Sequence, residues 1–454
     1  MISKRQFINE VADSIKIGKG SLFVGAGVDM DAGYPSWKEL LSDAAKKLDL
    51  QVNEDTNLFQ LAQYYENLYT RNKLLELLDD KLEGTQFKSP LVNSMLSLPV
   101  NSIWTTNFDK VIEKNIDRQN KLYNLVYTEK HLPKLSNNKM NIFKINGDIH
   151  DRESIIITTG DIEKHISERE MMFSLLKKEL ISNTFLFVGY SFSDSLILNC
   201  MHNIKMCLED FTPCHYSVMK RDRTNPIHQD YFINDLDKRY NIKVYLVEEN
   251  KDIPELIQEI KRKVIEKNVL ISGSLEYATA DELSYCYDLC SNIGRLLIDK
   301  HFNVHTGFGR NIGHYIAGET LQYLNEKGIG DDPLRLKIKP FALQNNDSQK
   351  NRFREQLIDD ANIVIFLYGQ CIHPETGAIV NSAGTLKEFE IANHMNKYII
   401  PIGSTNYASR EIFTQIKANI NKYPYLEQYL TILENESDIS KIMDAIWAIL
   451  NTIT

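Results

Sequence analysis

Four short stretches carry residues that could do chemistry together. Gly25-Ala26-Gly27-Val28-Asp29 follows the apolar run SLFV, and Asn107 and Asp109 follow IWTT. Asn146, Asp148 and His150 follow IFKI, and Gly189, Ser191 and Asp194 follow FLFV. A tight turn needs one glycine. Two glycines around a single alanine imply that the backbone passes close to another group, and a bound ligand is the expected one. The other three stretches offer amide, carboxylate and imidazole groups for hydrogen bonding, charge and proton transfer. In an open parallel sheet, ligands occupy the crevice beyond the carboxyl ends of the strands. Each stretch alone reads as a turn or cap. Four at four strand ends converge on one pocket.

A second set lies further along the chain. Ser272, Gly273 and Ser274 follow the apolar run VLI, and Gly307, Gly309 and Gly313 lie in VHTGFGRNIGH. The third glycine falls one position late for the dinucleotide fingerprint, yet the turn still offers amides to phosphate at a helix start. Arg310 adjoins those amides, and Arg352 and Arg354 sit on a predicted helix, where guanidinium groups can grip phosphate bidentately. Gly384, Thr385 and Glu388 in AGTLKEF open another helix, whose N-terminal end favours an anion. Glu388, one turn in, is placed to hold ribose hydroxyls.

The elements that must position these residues are strands alternating with helices, the pattern of parallel α/β domains. In the first half the predicted strands are SLFVGAG, SIWTTNF, IFKING, SIIITTG, TFLFVGYS, HYSVMK and KVYLV, with helices such as Trp37 to Leu48 and Glu170 to Ile181 between them. Ile253, Leu256, Ile257, Ile260 and Val264 form a helical stripe. A new α/β unit then starts with NVLISGS and continues through FNVHTGFG, KIKPF, ANIVIFLYG and YIIPIG, with a helix opening after Gly384. The expected fold class is therefore α/β, two Rossmann-like parallel-sheet domains, 1–266 and 267–454. No Gly/Ser or Pro-rich linker separates them, so they are expected to pack on each other.

Composition sets outer bounds. At 454 residues and 43% hydrophobic content the chain can bury two cores. Fifty-two basic against 61 acidic side chains leave a net charge of −9, with no long basic run, which argues against a nucleic-acid partner. No apolar stretch is long enough to span a membrane. The first helix, with Phe7, Ile8, Val11, Ala12 and Ile15 at helical spacing, lacks the apolar core of a signal peptide. The six cysteines include no CxxC pair, so a metal site is not expected and a reducing, cytoplasmic compartment is.

The first set of motifs, over roughly residues 1 to 265, resembles the sirtuin family. GAGVDMDAGYPSW is similar to the family's GAG-x-S and G-I-P loop, TTNFD to its T-Q-N-I-D motif, and VGYSFSD to its V-G-T-S strand end. NGDIHD lies where its His-Gly motif belongs. The resemblance implies NAD as ligand, its pyrophosphate on the amides from Gly25 through Ala26 to Gly27. Asp29, Asp109, Asn146, Gly189 and Ser191 would line the cofactor, and Asn107 would position the nicotinamide ribose and the nucleophile. Three departures matter: no cysteine pairs build the zinc ribbon of the deacetylating members, Ser36-Trp37 replace the loop arginine, and Asn146 aligns with the family histidine. His150 is the only imidazole in that motif, either the catalytic base or a solvated turn residue. Without the zinc module, water is the expected acceptor and NAD hydrolysis the expected reaction.

Residues from about 266 to the end resemble the SLOG family, whose P-G-G-x-G-T-x-x-E signature is reduced here to Ser382-Ala383-Gly384-Thr385-Leu386-Lys387-Glu388. A sirtuin-like half followed by a SLOG half resembles the NAD-consuming effectors of the Thoeris bacterial antiphage system. That resemblance implies a homotetramer whose SLOG half binds a cyclic ADP-ribose isomer made by a TIR-domain partner, releasing NAD hydrolysis in the other half. Two alternatives stand beside it: a SLOG-half nucleotide phosphoribohydrolase regulated by NAD, and a non-catalytic NAD-binding scaffold.

Overall fold

Short apolar runs become the strands of two parallel sheets in the computed structural model, which describes residues 2–53, 56–82, 88–136, 139–192, 194–330, 332–340 and 346–454. Ser193 in the VGYSFSD stretch and Phe341 at the end of the predicted KIKPF strand lie outside the described residues. The chain divides into two units, Met1–Val264 and Ile265–Thr454. The boundary falls at the end of helix Ile253–Ile265.

The first unit holds strands β1 (Gly20–Val24), β2 (Ser102–Thr105), β3 (Tyr123–Val126), β4 (Met140–Lys144), β5 (Thr184–Val188), β6 (His215–Lys220) and β7 (Ile242–Val247), in the order β3-β4-β2-β1-β5-β6-β7. β1 and β2 are buried along their whole length, as strands covered on both faces must be. From β1 the sheet grows outward in both directions, so the chain reverses its winding there. That point is where the crevice of such a sheet opens. The first helix, Lys4–Lys16, is capped by the Ser3 hydroxyl on the Gln6 amide and buries Phe7, Val11, Ala12 and Ile15.

One predicted strand does not form. Ile155, Ile156 and Ile157 in SIIITTG are buried, but no strand covers them. Their polar groups are satisfied elsewhere: the Ile156 amide donates to the Asn146 carbonyl, the Ile157 and Thr158 amides to Asp161 Oδ2, and Arg71 Nη2 to the Ile155 carbonyl. Ile155 and Ile157 pack instead with Leu61, Tyr65, Leu74 and Phe108, in a helical layer beside the crevice. An apolar run marks burial, and its hydrogen-bond partners decide whether it is a strand. In its place stands β3, a half-exposed edge strand. The predicted helix from Trp37 to Leu48 is broken at Leu41 into Trp37–Leu40 and Ser42–Lys47.

The second unit holds β8 (Asn268–Ser274), β9 (Asn303–Thr306), β10 (Leu336–Ile338), β11 (Ile363–Tyr368), the antiparallel hairpin β12 (Gln370–Ile372) and β13 (Ile379–Asn381), and β14 (Tyr398–Pro401). Its parallel sheet runs β10-β9-β8-β11-β14, again with the first strand of the unit at its centre. Helices Ala280–Asp299 and Ile439–Ile453 contribute Cys286, Leu289, Ile293, Ile446 and Ile449 to its core.

Candidate functional site

In the first unit, Lys144 pairs with Thr105, Thr105 with Val24, and Val24 with Val188, so four adjacent strands end in one row. The segments after that row leave the sheet at one level, and these are the four motifs. The expectation that Gly25 and Gly27 face a ligand needs correction. A Cβ on Gly25 would stand 2.5 Å from the Gly189 carbonyl oxygen and the Tyr190 Cα, and one on Gly27 2.9 Å from the Gly189 Cα. Gly189, at φ +63°, meets the Val28 amide just as closely. The Gly25 and Gly27 amides donate to the carbonyls of Val188 and Gly189, at 3.0 and 2.9 Å. The group that demanded two glycines is the protein's own backbone. Of the three amides in the turn, Ala26's is the one with no acceptor among the described residues.

The side chains around this turn form a buried ionic cluster. Lys144 Nζ, fully enclosed, lies 2.5 Å from Glu113 Oε1 and 2.7 Å from Asp148 Oδ2, and also donates to the Asp109 carbonyl. Burial disfavours its charge, but Glu113, Asp148 and Asp109 together hold its pKa above the usual value. Burial likewise pushes the Asp148 carboxyl up, yet the Lys144 ammonium and the His150 amide outweigh it and leave Asp148 below its usual range. Asp109 caps its own loop by accepting from the Val111 amide at 2.8 Å, and Thr105 Oγ1 accepts from the Asn107 amide at 3.0 Å.

Asp29 is buried against this cluster. Burial first, then the adjoining Asp109 carboxyl, raise it well above the carboxylate range, against the opposing pull of Lys144 and Asn107. Asp29 Oδ1 and Asn107 Nδ2 are both enclosed and make no hydrogen bond of normal geometry among the described residues. Asn146 is buried in the same row of strand ends. Two expected members stand outside. Ser191 is exposed, and the His150 ring is 68% exposed, 3.9 Å from Asp148 Oδ1, with only its backbone amide bonded into the cluster.

The second unit repeats the principle with fewer charges. Ser272 at the β8 end donates to Glu388 Oε2 at 2.6 Å, and Arg354 Nε lies 3.6 Å from Glu388 Oε1. Burial raises the Glu388 carboxyl, against Ser272 and Arg354. The helix carrying Glu388 begins at Ala383, with Ser382 as its cap accepting from the Thr385 amide, and not after Gly384 as the sequence suggested. Gly384 lies against the Arg354 guanidinium, 2.8 Å from where a Cβ would sit. Gly273 and Gly309 again make room for backbone: Cβ positions on them would fall 1.9 Å from the Leu367 carbonyl oxygen and 2.1 Å from the Gly273 carbonyl oxygen. Ser274 donates to the Gln370 carbonyl at 2.8 Å. Arg310 is exposed and ion-paired to Glu276, apart from the Glu388 pair. Gly307 lies between β9 and helix Ile312–Glu326.

Sequence reasoning missed Lys144, Glu113 and Gln370. A lone lysine inside the buried strand IFKI was the available signal for the first. Gln370, fully buried, fixes the loop after β8 by accepting from the Glu276 and Tyr277 amides at 3.0 and 2.9 Å. Among the described residues no group of three His, Cys, Asp or Glu side chains could hold a metal ion, and no helix is long and apolar enough to cross a membrane.

Comparison with known proteins adds independent findings. Residues 101–245 match a SIR2-like domain, and residues 252–453 match the Sir2- and TIR-associating SLOG family, STALD. The SIR2-like match takes in the strand ends of β2, β4 and β5. The glycine turn after β1 lies ahead of it. Three full-length relatives are each named NAD(+) hydrolase ThsA. The protein of Acinetobacter baumannii (strain 532279) is 31% identical over 97% of this chain and 98% of its own length. That of Enterococcus faecium is 30% identical over 100% and 99%, and that of Bacillus cereus (strain MSX-D12) 29% identical over 92% and 90%.

Proposed function

Because the chain belongs to the family of NAD(+) hydrolases named ThsA, we propose that it cleaves the nicotinamide–ribose bond of NAD at the strand ends of its first unit. The observation that carries this reading is the buried set of Asp29, Asn107 and Asp109 built on Lys144. In the reaction the C1′–N bond breaks with its electron pair passing to the pyridinium nitrogen, so nicotinamide leaves neutral. The ribosyl group becomes oxocarbenium-like, water oxygen bonds to C1′, and one proton is released with ADP-ribose. Four carboxyls around one ammonium give the site surplus negative charge, which favours a cationic transition state when fixed in place beforehand. Asn107 Nδ2 supplies a donor for a ribose hydroxyl, and the Ala26 amide a donor for the pyrophosphate. Asn146 and Gly189 border the same crevice. His150, with its ring outside, serves the rim.

The second unit is the sensor in this reading. A cyclic ADP-ribose isomer, supplied by a TIR-domain partner as in Thoeris defence, binds where Arg354, the helix start at Gly384 and Thr385, and Glu388 meet the Ser272 strand end. Binding there switches on NAD hydrolysis in a cytoplasmic homotetramer, so the resting enzyme spares the NAD pool of its host. Moving such a switch from about 1:99 to 99:1 needs roughly 5.5 kcal/mol of differential affinity, which a doubly charged ligand gripped in several subunits can supply. The support is the SLOG-family match and the Arg354–Glu388 pair. The test is nicotinamide release by the full chain, with and without each cyclic ADP-ribose isomer. Ligand-dependent release supports the reading. Release from nucleoside monophosphates alone would replace it with a phosphoribohydrolase.

A further inference from the structure

The segment after β4 has to hold Asn146 at the strand end, and its main chain is tied down on both sides of that residue. The Ile145 amide donates to the Thr105 carbonyl at 2.8 Å, which carries the β4–β2 pairing one residue further, and the Asn146 carbonyl accepts from the Ile156 amide at 2.9 Å. Gly147 takes φ +90°, and a Cβ there would stand 2.1 Å from the Ser154 carbonyl oxygen. The chain therefore returns over itself, with Ser154 and Ile155 lying against Asn146 and Gly147. Ser154 Oγ closes the return by accepting from the Asp148 amide at 3.0 Å. None of these bonds uses the buried Asn146 side chain.

One side chain joins the two arms of this return. Arg169 Nη1 donates to the Ile145 carbonyl, and Nη2 donates to the Ser154 carbonyl at 2.5 Å. Arg169 is buried and immediately precedes helix Glu170–Ser182, whose Met172, Leu176 and Leu180 lie in the core, so the guanidinium projects from a fixed element. Burying a cation is costly unless its N–H groups are bonded, and here two of them are bonded to the carbonyls that flank Asn146 and Gly147. A planar fork with fixed N–H directions sets the spacing of its two acceptors as well as holding them.

We propose that Arg169 is a positioning residue for NAD hydrolysis, fixing Asn146 at the crevice by bridging the Ile145 and Ser154 carbonyls. This rests on the hydrolase reading above and assigns what holds one wall of that site. The guanidinium acts through Asn146 and not on the substrate, because its bonds run to the main chain. Without the bridge, the Ser154 arm is free to lift from Gly147, whose lack of a Cβ lets the backbone turn there, and Asn146 turns with it. A displacement of about 1 Å at a group facing the substrate can cost on the order of 10²-fold in rate.

The test uses the full chain. Arg169→Lys keeps the charge but replaces the fork by a single nitrogen, and Gly147→Ala pushes the Ser154 carbonyl away with Arg169 intact, so one folding failure leaves the other. Without nucleotide, hydrogen exchange at the Ile156 amide, the partner of the Asn146 carbonyl, is expected to quicken about tenfold or more in Arg169→Lys. With a cyclic ADP-ribose isomer added, kcat for nicotinamide release is expected to fall about 10–100-fold in both variants, with KM for NAD changed only a few-fold. In an Asn146→Ala background, Arg169→Lys is expected to cost no more than a few-fold further, because both changes act through one group. An arginine that served folding alone would lower the melting temperature and leave kcat of the folded protein unchanged. Wild-type kcat in Arg169→Lys, a loss carried by KM alone, or the same loss with and without Asn146 would overturn the positioning role. Unchanged exchange at Ile156 would overturn the bridge itself. A wild type that releases no nicotinamide with any isomer would instead overturn the hydrolase reading, and the exchange measurement would still decide the bridge.

Discussion

At the strand ends of the first unit one ammonium, Lys144, faces the four carboxyls of Asp29, Asp109, Glu113 and Asp148, whereas in the second unit one carboxyl, Glu388, faces one guanidinium, Arg354. Both clusters lie at the carboxyl ends of strands in a parallel sheet. Their charge balance differs, and with it the task each can perform. The first site carries more carboxyls than cations, an excess of negative charge that suits a cationic transition state. The second is close to neutral. Its guanidinium can exchange Glu388 for a phosphate without leaving a bare charge behind, which suits recognition of an anion.

The sharpest way to break this contrast is to remove the one cation of the first site. Lys144→Met leaves Glu113 buried without its cation and Asp148 held only by the His150 amide, and is expected to cost about 3–5 kcal/mol of stability, measured by chemical denaturation. The pH dependence should also invert. In the wild type, Asp148 lies below its usual range, so its contribution is present above the unfolded carboxylate range and is lost as pH falls through the lowered value. In the variant burial raises Glu113 with no cation to oppose it, and Asp148 keeps only the His150 amide against burial, so stability should recover as acid protonates them. A variant as stable as wild type at neutral pH would show the cluster to be incidental.

In the second unit, charge reversal by Arg354→Glu places a second carboxylate beside Glu388 and Gly384. It is expected to raise the concentration of cyclic ADP-ribose isomer needed for half-activation by about 100-fold or more, the loss of two charge-assisted hydrogen bonds. NAD affinity, read by calorimetry, should stay within a few-fold. Activation at wild-type ligand concentrations would remove the sensor role from this site. The smallest effect is expected at His150→Ala. An exposed ring outside the cluster should cost no more than a few-fold in nicotinamide release, and a loss of ~10²-fold or more would return the histidine to the role of general base.

Much of this was legible in the residues. Runs such as SLFV and NIVIFL read as strands because burial on both faces demands unbroken apolar sequence. The strand-end motifs followed from topology, since a parallel sheet has its crevice at the carboxyl ends. Ile155 to Ile157 misled because burial does not specify the partner of a backbone amide, and Asp161 took that place. β3 was missed because a half-exposed edge strand keeps no apolar pattern. The glycines at 25 and 27 were rightly read as a close approach, but the sequence does not say to what, and Gly189 lies over 160 residues away along the chain. Lys144 went unnoticed for a similar reason: Asp148 lies four residues on, but Glu113 and the Asp109 carbonyl come from a stretch that only the folded sheet brings alongside.

The central proposal is that NAD is cleaved at the first site and a cyclic ADP-ribose isomer is sensed at the second, and Asn107 tests it most directly. Among the described residues its side-chain nitrogen is a buried donor with no acceptor in normal geometry, so Asn107→Ala should leave the fold intact. Nicotinamide release by the full-length variant is to be followed at saturating cyclic ADP-ribose isomer, beside wild type and beside nucleotide binding to the second unit. The expected result is wild-type binding of the isomer with turnover reduced by about 10²–10³-fold or more. Wild-type turnover in Asn107→Ala would contradict the account, because the chemistry would then lie elsewhere than at these strand ends.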